Sequence, residues 1–210
     1  MKNVSVITIN EKSITDFAKV RNRELAKVKT EWVLYLDSDE KLSEELKNEI
    51  EAAVESDKYD AYYIRRDDTF LGRVQKHGET GGAHFVRLAT KSWGRWERPV
   101  HEVWLAHRGR KGQDRVGRLK HPMLHMSHTT IASFLGKINR YSQIEAKYRY
   151  KQGVRSSLFH ITCYPLAKWF YNYVLRFGFL DGIPGLIHAC MMSFHSYLTW
   201  SKLYLLWHKK

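Results

Sequence analysis

An α/β domain extended by a C-terminal helical hairpin is what this 210-residue chain predicts, on three observations. Trp32-Val33-Leu34-Tyr35-Leu36 is an unbroken apolar run rich in aromatic and branched side chains, the pattern of a strand buried on both faces of a parallel sheet. Apolar residues at helical spacing flank it on either side. Finally, residues 154–179 and 184–207 read as two apolar helices joined by Gly178 to Gly185. The length suits one α/β domain, residues 1–150, with residues 151–210 as the hairpin.

Taken in order, Val4 to Ile9 alternates apolar and polar residues as a short strand does. Ile14, Phe17, Ala18, Leu25 and Val28 then form one helical stripe, with Arg21 in its remaining slot. An inward-facing Arg needs an anionic partner, which neighbouring Asn22 can supplement; the alternative is an Arg whose head reaches solvent. After the 32–36 strand, Ser43 to Glu55 has Leu46, Ile50, Ala53 and Val54 on one face, a solvated surface helix. Tyr59 to Arg65 reads as a strand followed by a polar loop through Asp67 and Asp68, and Gly78 to Gly82 as a flexible loop. His84 to Leu88 is a further strand. The stretch Trp93 to Glu102 is dense in Trp, Arg and ionisable groups, which favours a site over a plain loop. Residues 109–120 are Gly and basic, an exposed loop. Thr129 or Thr130 caps a helix to about Tyr150, with Ile131, Phe134, Leu135, Ile138 and Tyr141 on its stripe.

Charge divides the chain. Residues 1–102 carry 18 Lys/Arg and 19 Asp/Glu, whereas 103–210 carry 17 and 3. The basic half suits anionic lipid or a phosphorylated substrate; no zinc-finger spacing, RNP-like strand or arginine-rich block points to nucleic acid. Cys163 and Cys190 lie in apolar segments and read as buried free thiols. Met1 to Val4 opens no signal-peptide h-region, so secretion is not expected. Between Asp181 and Lys202 there is no charged residue, nominally a membrane-span length. Pro184, Gly185, His188 and several hydroxyl residues dilute that apolarity. The hairpin therefore reads as lying in a membrane interface, with a soluble helical cap or an oligomer contact as alternatives.

Asp37-Ser38-Asp39-Glu40 follows the 32–36 strand directly. Ligands of open α/β sheets bind beyond the carboxyl ends of strands, and two Asp at i, i+2 there offer hard oxygens to Mg²⁺ or Mn²⁺. A polar turn plus the N-cap of the next helix, a purpose that Asp39, Ser43 and the following Glu-rich stretch would serve, is the plainer alternative. His121 to His128 places three histidines in eight residues, of which His125 or His128 could add a metal ligand or be satisfied loop residues.

In order, Asp16-Phe17-Ala18-Lys19-Val20-Arg21-Asn22, the Trp32 to Glu40 element, Val100-His101-Glu102 and Gly178-Phe179-Leu180-Asp181-Gly182 resemble the motifs of family 2 glycosyltransferases of the GT-A fold. The likeness is to the small bacterial group acting in lipopolysaccharide-core and cell-surface glycan assembly. It implies a Rossmann-like mixed sheet, a nucleotide-sugar donor, a divalent metal on its diphosphate and a lipid-linked or glycan acceptor. Asp37 and Asp39 match the DxD carboxylates, Asp39 being the preferred direct metal ligand, and Arg21 and Asn22 match positions near the donor. Glu102 is the candidate base, with His101 orienting it or approaching the metal; a structural turn over 99–102 is the alternative. Only one strand and one helix precede the DxD element, so the GT-A unit reads as abbreviated, without the usual first βαβ unit and its nucleobase-binding Asp. A separate chain, a second copy or an upstream start would supply that part.

The resulting expectation is a metal-dependent glycosyltransferase at the cytoplasmic face of the plasma membrane. A non-catalytic GT-A-like scaffold or partner-dependent subunit is the second reading. A phosphotransfer or hydrolase site on the same carboxylates is the third.

Overall fold

The computed structural model describes residues 3–9, 14–107, 115–126 and 130–208. It separates into two compact units, Met1–Asp67 with Gly82–His125 and Asp68–Gly81 with Met126–Lys210. The sequence division at residue 150 leaves the helix after Thr130 with the α/β part; here that helix groups with the hairpin.

The first unit opens with β1 (Val4–Ile7), α1 (Phe17–Lys27), β2 (Trp32–Tyr35), β3 (Glu40–Leu42) and α2 (Glu44–Glu55). Asp16 caps α1 by accepting from the Lys19 amide at 2.9 Å, and Ser43 caps α2 by accepting from Leu46 at 3.2 Å. Glu44 and Glu45 fall in the first turn of α2, where carboxylates complement the helix dipole. β2 lies parallel to β1 but antiparallel to β6 (His84–Thr90), so the sheet is mixed rather than parallel. The expectation of burial on both faces holds: Trp32 and Leu34 pack with Leu46 and Ile50 of α2, while Val33 and Tyr35 pack with Ala18 and Leu25 of α1. Period-two alternation thus serves two cores at once.

β4 (Ala61–Phe70) runs on through Asp67 and Asp68, where a polar loop was expected. Its far end turns back through Leu71 and Gly72, both at left-handed φ of 47° and 76°, into β5 (Arg73–Val74). Two such residues make the tight turn that matches strand twist, and the backbone pairing of Thr69 with Val74 and Phe70 with Arg73 outweighs the polar composition. The remaining strands are β7 (Gly94–Glu97), β8 (Val103–Ala106), β9 (Val116–Arg118) and β10 (Met123–Met126). The main sheet runs β1-β2-β6-β4-β10-β3, with β9 also paired to β4, and β7–β8 is a separate hairpin. Of the expected 109–120 loop, residues 109–114 lie outside the described residues, and β9 occupies part of the rest.

In the second unit, Thr130 caps α3 (Ile131–Lys151) through the Ser133 amide at 3.1 Å. The buried face of α3 is Phe134, Ile138, Ser142, Glu145 and Ala146; Ile131 and Leu135, expected inside, are 45% and 40% exposed. α4 (Leu158–Phe170) continues as a π-helical turn over Tyr171–Leu175. A 3₁₀ turn over Gly178–Asp181 then leads into α5 (Gly182–His208). α5 packs against both α3 and α4. The Gly78 to Gly82 segment is anchored, not free: the Gly78 amide donates to Arg176 O at 2.9 Å, and Glu79 accepts from Lys168 Nζ and Asn172 Nδ2. Cys163 and Cys190 are exposed, contrary to expectation, because much of the apolar surface of α4 and α5 faces outward.

Gly94 sits where β7 meets β8, and a Cβ there would run into the Leu105 carbonyl. Gly94→Ala is expected to cost about 1–3 kcal/mol through overpacking, read as a lowered midpoint of urea unfolding with an unchanged slope.

Candidate functional site

The carboxyl end of β2 is where the ionisable groups of the first unit converge. Asp37 to Glu40 closes a turn in which the Glu40 amide donates to Asp37 O at 2.9 Å and the Asp37 amide donates to Glu40 Oε2 at 2.8 Å. The turn is therefore fixed by its own backbone and by the side chain of its last residue. Glu40, 4% exposed, also meets Arg87 Nη2 at 3.2 Å and Arg66 Nη1 at 3.5 Å.

Arg21 lies on the inward stripe of α1 and is 1% exposed. It does not reach solvent; its partners are carboxylates of this chain. Nη2 donates to Asp37 Oδ1 at 2.7 Å, and both Nε and Nη2 donate to Glu102 Oε1, at 3.0 and 2.9 Å. Its guanidinium lies 4.6 Å from the Trp96 ring and 5.4 Å from Tyr35, whose hydroxyl donates to the Arg21 carbonyl at 2.9 Å. Burial alone would lower the Arg21 pKa, but Asp37 and Glu102 outweigh it and raise it. Arg87 Nη2 donates to the other Asp37 oxygen at 2.9 Å. Three guanidiniums thus face three carboxylates. Arg21 Nη1 and Arg87 Nε and Nη1 are buried donors with no acceptor among the described residues.

Burial raises the Asp37 carboxyl, yet Arg87 and then Arg21 overcome that and hold it far below its ordinary 3.8. Burial likewise pushes the Tyr35 phenol well up, keeping it a neutral hydrogen-bond donor.

Of the residues singled out in the sequence, Arg21, Asp37 and Glu102 are brought together, with Glu102 reaching them from the β7–β8 connection. Asn22 is turned instead to the Trp96 backbone, donating to its carbonyl at 2.8 Å and accepting from its amide at 2.9 Å, which fastens β7 to α1. His101 is exposed at a left-handed φ of 51°, so the backbone reverses next to Glu102. His125 Nε2 lies 3.2 Å from Asp39 Oδ2, on β10 where His125 pairs in register with Glu40. His128 lies outside the described residues. Glu40 belongs to the carboxylate run read in the sequence, without a role assigned there; Arg87 does not, although an Arg in the otherwise apolar end of His84 to Leu88 signals a buried cation in search of an anion.

Among the described residues no three His, Cys, Asp or Glu side chains group as a metal centre. A divalent ion of the Mg²⁺ class asks for fewer, one or two carboxylates with phosphate and water completing its shell. Asp39 offers one such carboxylate, at 39% side-chain exposure, with the His125 imidazole in direct contact at 3.2 Å as a second donor atom. Asp37 has each oxygen turned to a guanidinium.

Removing Arg21 would leave Glu102 without its cation and Asp37 with Arg87 alone, so Arg21→Met is expected to lose about 3–5 kcal/mol in urea unfolding. The Arg21→Met/Glu102→Gln double change should lose less than the sum of the singles. Because the Asp37 pKa is lowered on folding, its contribution to stability is fully present above pH about 4 and is lost as pH falls further. Unfolding free energies measured from pH 6 down to about 3 should therefore fall more gently in Asp37→Asn than in the parent chain.

No family model matches the chain. Curated proteins do resemble it. A protein of Rickettsia conorii named an uncharacterized glycosyltransferase is 28% identical over 180 residues, 82% of this chain and 64% of its own length. Proteins of the same name from Rickettsia bellii and Rickettsia typhi are 27% and 29% identical over 187 and 183 residues, covering 83% and 82% of this chain and 62% of each relative. The chain spans a little under two thirds of the length of the relatives it matches.

Proposed function

We propose that this chain carries the transfer site of a metal-dependent glycosyltransferase of the GT-A type. It would move a sugar from a nucleotide-sugar donor to a lipid-linked or cell-envelope glycan acceptor at the cytoplasmic face of the plasma membrane. The observation that carries the reading is the Asp39–His125 pair, presented by a turn that Asp37 and Glu40 lock at the carboxyl end of β2. Relatives bearing the glycosyltransferase name support the reaction class.

Asp39 and His125 would hold Mg²⁺ or Mn²⁺. The ion supplies Lewis-acid stabilisation to the negative charge of the departing nucleoside diphosphate. Asp37 is a positioning residue in this scheme: its ion pairs to Arg21 and Arg87 fix the turn from which Asp39 projects. The spare N–H groups of those two arginines are the donors at hand for phosphate oxygens, in a site with little water to compete. Glu102 is the base for the acceptor hydroxyl. Arg21 holds Oε1 and keeps the carboxylate oriented, leaving Oε2 to accept the proton. His101, exposed on the reversed backbone beside it, would orient that carboxylate.

The alternative, a non-catalytic scaffold or a subunit completed by a partner chain or second copy, is favoured by one observation: Arg21 neutralises Asp37 and Glu102 within the chain itself. Calorimetry with a panel of nucleoside diphosphates and Mn²⁺ separates the two, because a scaffold gives no heat with any of them. Asp39→Asn is expected to abolish Mn²⁺-dependent nucleotide binding while leaving the circular dichroism spectrum unchanged, and undiminished binding would overturn the metal assignment. Glu102→Gln should keep nucleotide binding but lose about 10²–10⁴-fold in turnover with whichever nucleotide sugar supports transfer.

A further inference from the structure

The second unit has an unusual distribution of charge and apolar surface. Its acidic residues are Asp68, Glu79, Glu145 and Asp181, against thirteen Lys and Arg. Three of the four acidic side chains are withdrawn from the surface, Asp68 and Glu145 at 2% exposure and Asp181 at 3%. The fourth, Glu79, is held by Lys168 Nζ at 2.9 Å and Asn172 Nδ2 at 3.0 Å. Exposed charge on this unit is consequently cationic.

The same unit exposes apolar residues along α4, with Leu158, Phe159 and Leu166 at 74%, 64% and 70%, and onward through the bend into α5. The helical stretches Leu158–Leu175 and Gly178–His208 meet at 70°, and at their junction Phe177, Phe179, Leu180 and Ile183 are 55%, 45%, 53% and 74% exposed. The polar groups of the bend are turned inward. Asp181 accepts the His77 amide at 2.8 Å through Oδ2 and faces the His77 ring nitrogen at 2.9 Å through Oδ1, and Arg176 O accepts from the Gly78 amide. Phe177 takes a left-handed φ of 55°, and at Gly185 a Cβ would collide with the Gly178 carbonyl, so the chain closes tightly behind the apolar tip. An irregular bend with its main-chain groups satisfied inside the protein can enter an apolar medium that would otherwise penalise them. Among the described residues no single helix is long and apolar enough to cross a membrane.

We propose that Phe177 to Ile183 is a wedge that inserts into the headgroup layer of an anionic bilayer, with exposed cations of this unit such as Arg73, whose Nη1 lies beside Gly182, on lipid phosphates and the His77–Asp181 contact holding its shape. This deepens the membrane placement proposed above and stands apart from the sugar chemistry, since nucleotide binding can succeed where lipid binding fails. A second copy is disfavoured as the occupant because like-charged surfaces would be brought together. Burial of outward Leu, Ile and Phe together with cation attraction is the combination that binds interfacial segments.

The test is co-sedimentation of the full chain with phosphatidylcholine vesicles and with vesicles in which a third of the lipid is phosphatidylglycerol. Binding is expected only to the anionic vesicles and should weaken as salt is raised. Leu180→Ser/Ile183→Ser should weaken it about tenfold with the circular dichroism spectrum preserved. Ile183→Ser alone, at the most exposed of these side chains, should weaken it a few-fold and serves if the double variant unfolds. Equal binding to neutral vesicles, no binding to either, or no effect of the folded variants would overturn the proposal. So would sedimentation of a vesicle-free dimer that the tip variants convert to monomer.

Discussion

A guanidinium with almost no contact with water is the constraint around which the first unit is arranged. Arg21 occupies a slot on α1 where an apolar residue would ordinarily sit, and its charge is tolerable only because Asp37 and Glu102 meet it there. Each of these comes from a different part of the chain. Satisfying Arg21 therefore fixes the turn after β2 and the connection between β7 and β8 against the same helix, and the Trp96 ring covers the remaining face of the ion. An ion pair this deep adds little net stability compared with apolar packing, but it tolerates few other arrangements.

Specificity of arrangement is what the carboxylate turn needs. Glu40 closes it from one side and Arg87 from the other, so Asp39, more exposed than Asp37, is delivered beside His125 by groups that are themselves ion-paired. Asn22 acts in the same sense at longer range by clamping the Trp96 backbone. Two adjacent helical residues thus have separate tasks, one electrostatic and one structural, although both resemble donor-site positions in sequence.

How much of this was legible beforehand depended on whether a local pattern decided the outcome. The buried strand at Trp32 and the inward Arg21 are direct consequences of periodicity, and both are found. Of the two cap candidates legible in the sequence, Ser43 and not Asp39 caps α2, because Glu40 to Leu42 pairs as a strand with β10, a long-range pairing that no local propensity announces. β4 persists through Asp67 and Asp68 for the same reason: its partner supplies the hydrogen bonds. On α3 the buried stripe is shifted and includes Ser142 and Glu145, because Lys202 of α5 reaches Asn139 and Ser142, and Arg149 pairs with Glu145. Polar residues at such positions conceal the stripe from a hydrophobicity count. Arg87 was visible as a cation in an apolar strand, but its partners could be named only once the sheet order placed β6 beside β2.

The outward setting of Cys163 on α4 and Cys190 on α5 has a practical bearing. The described residues contain these two thiols and no others, one on each arm of the hairpin. Maleimide-borne spin labels or solvent-sensitive dyes can be attached to either arm once the other thiol is replaced by serine. Each arm then reports its own polarity and accessibility, without introducing a foreign cysteine into the packed interior.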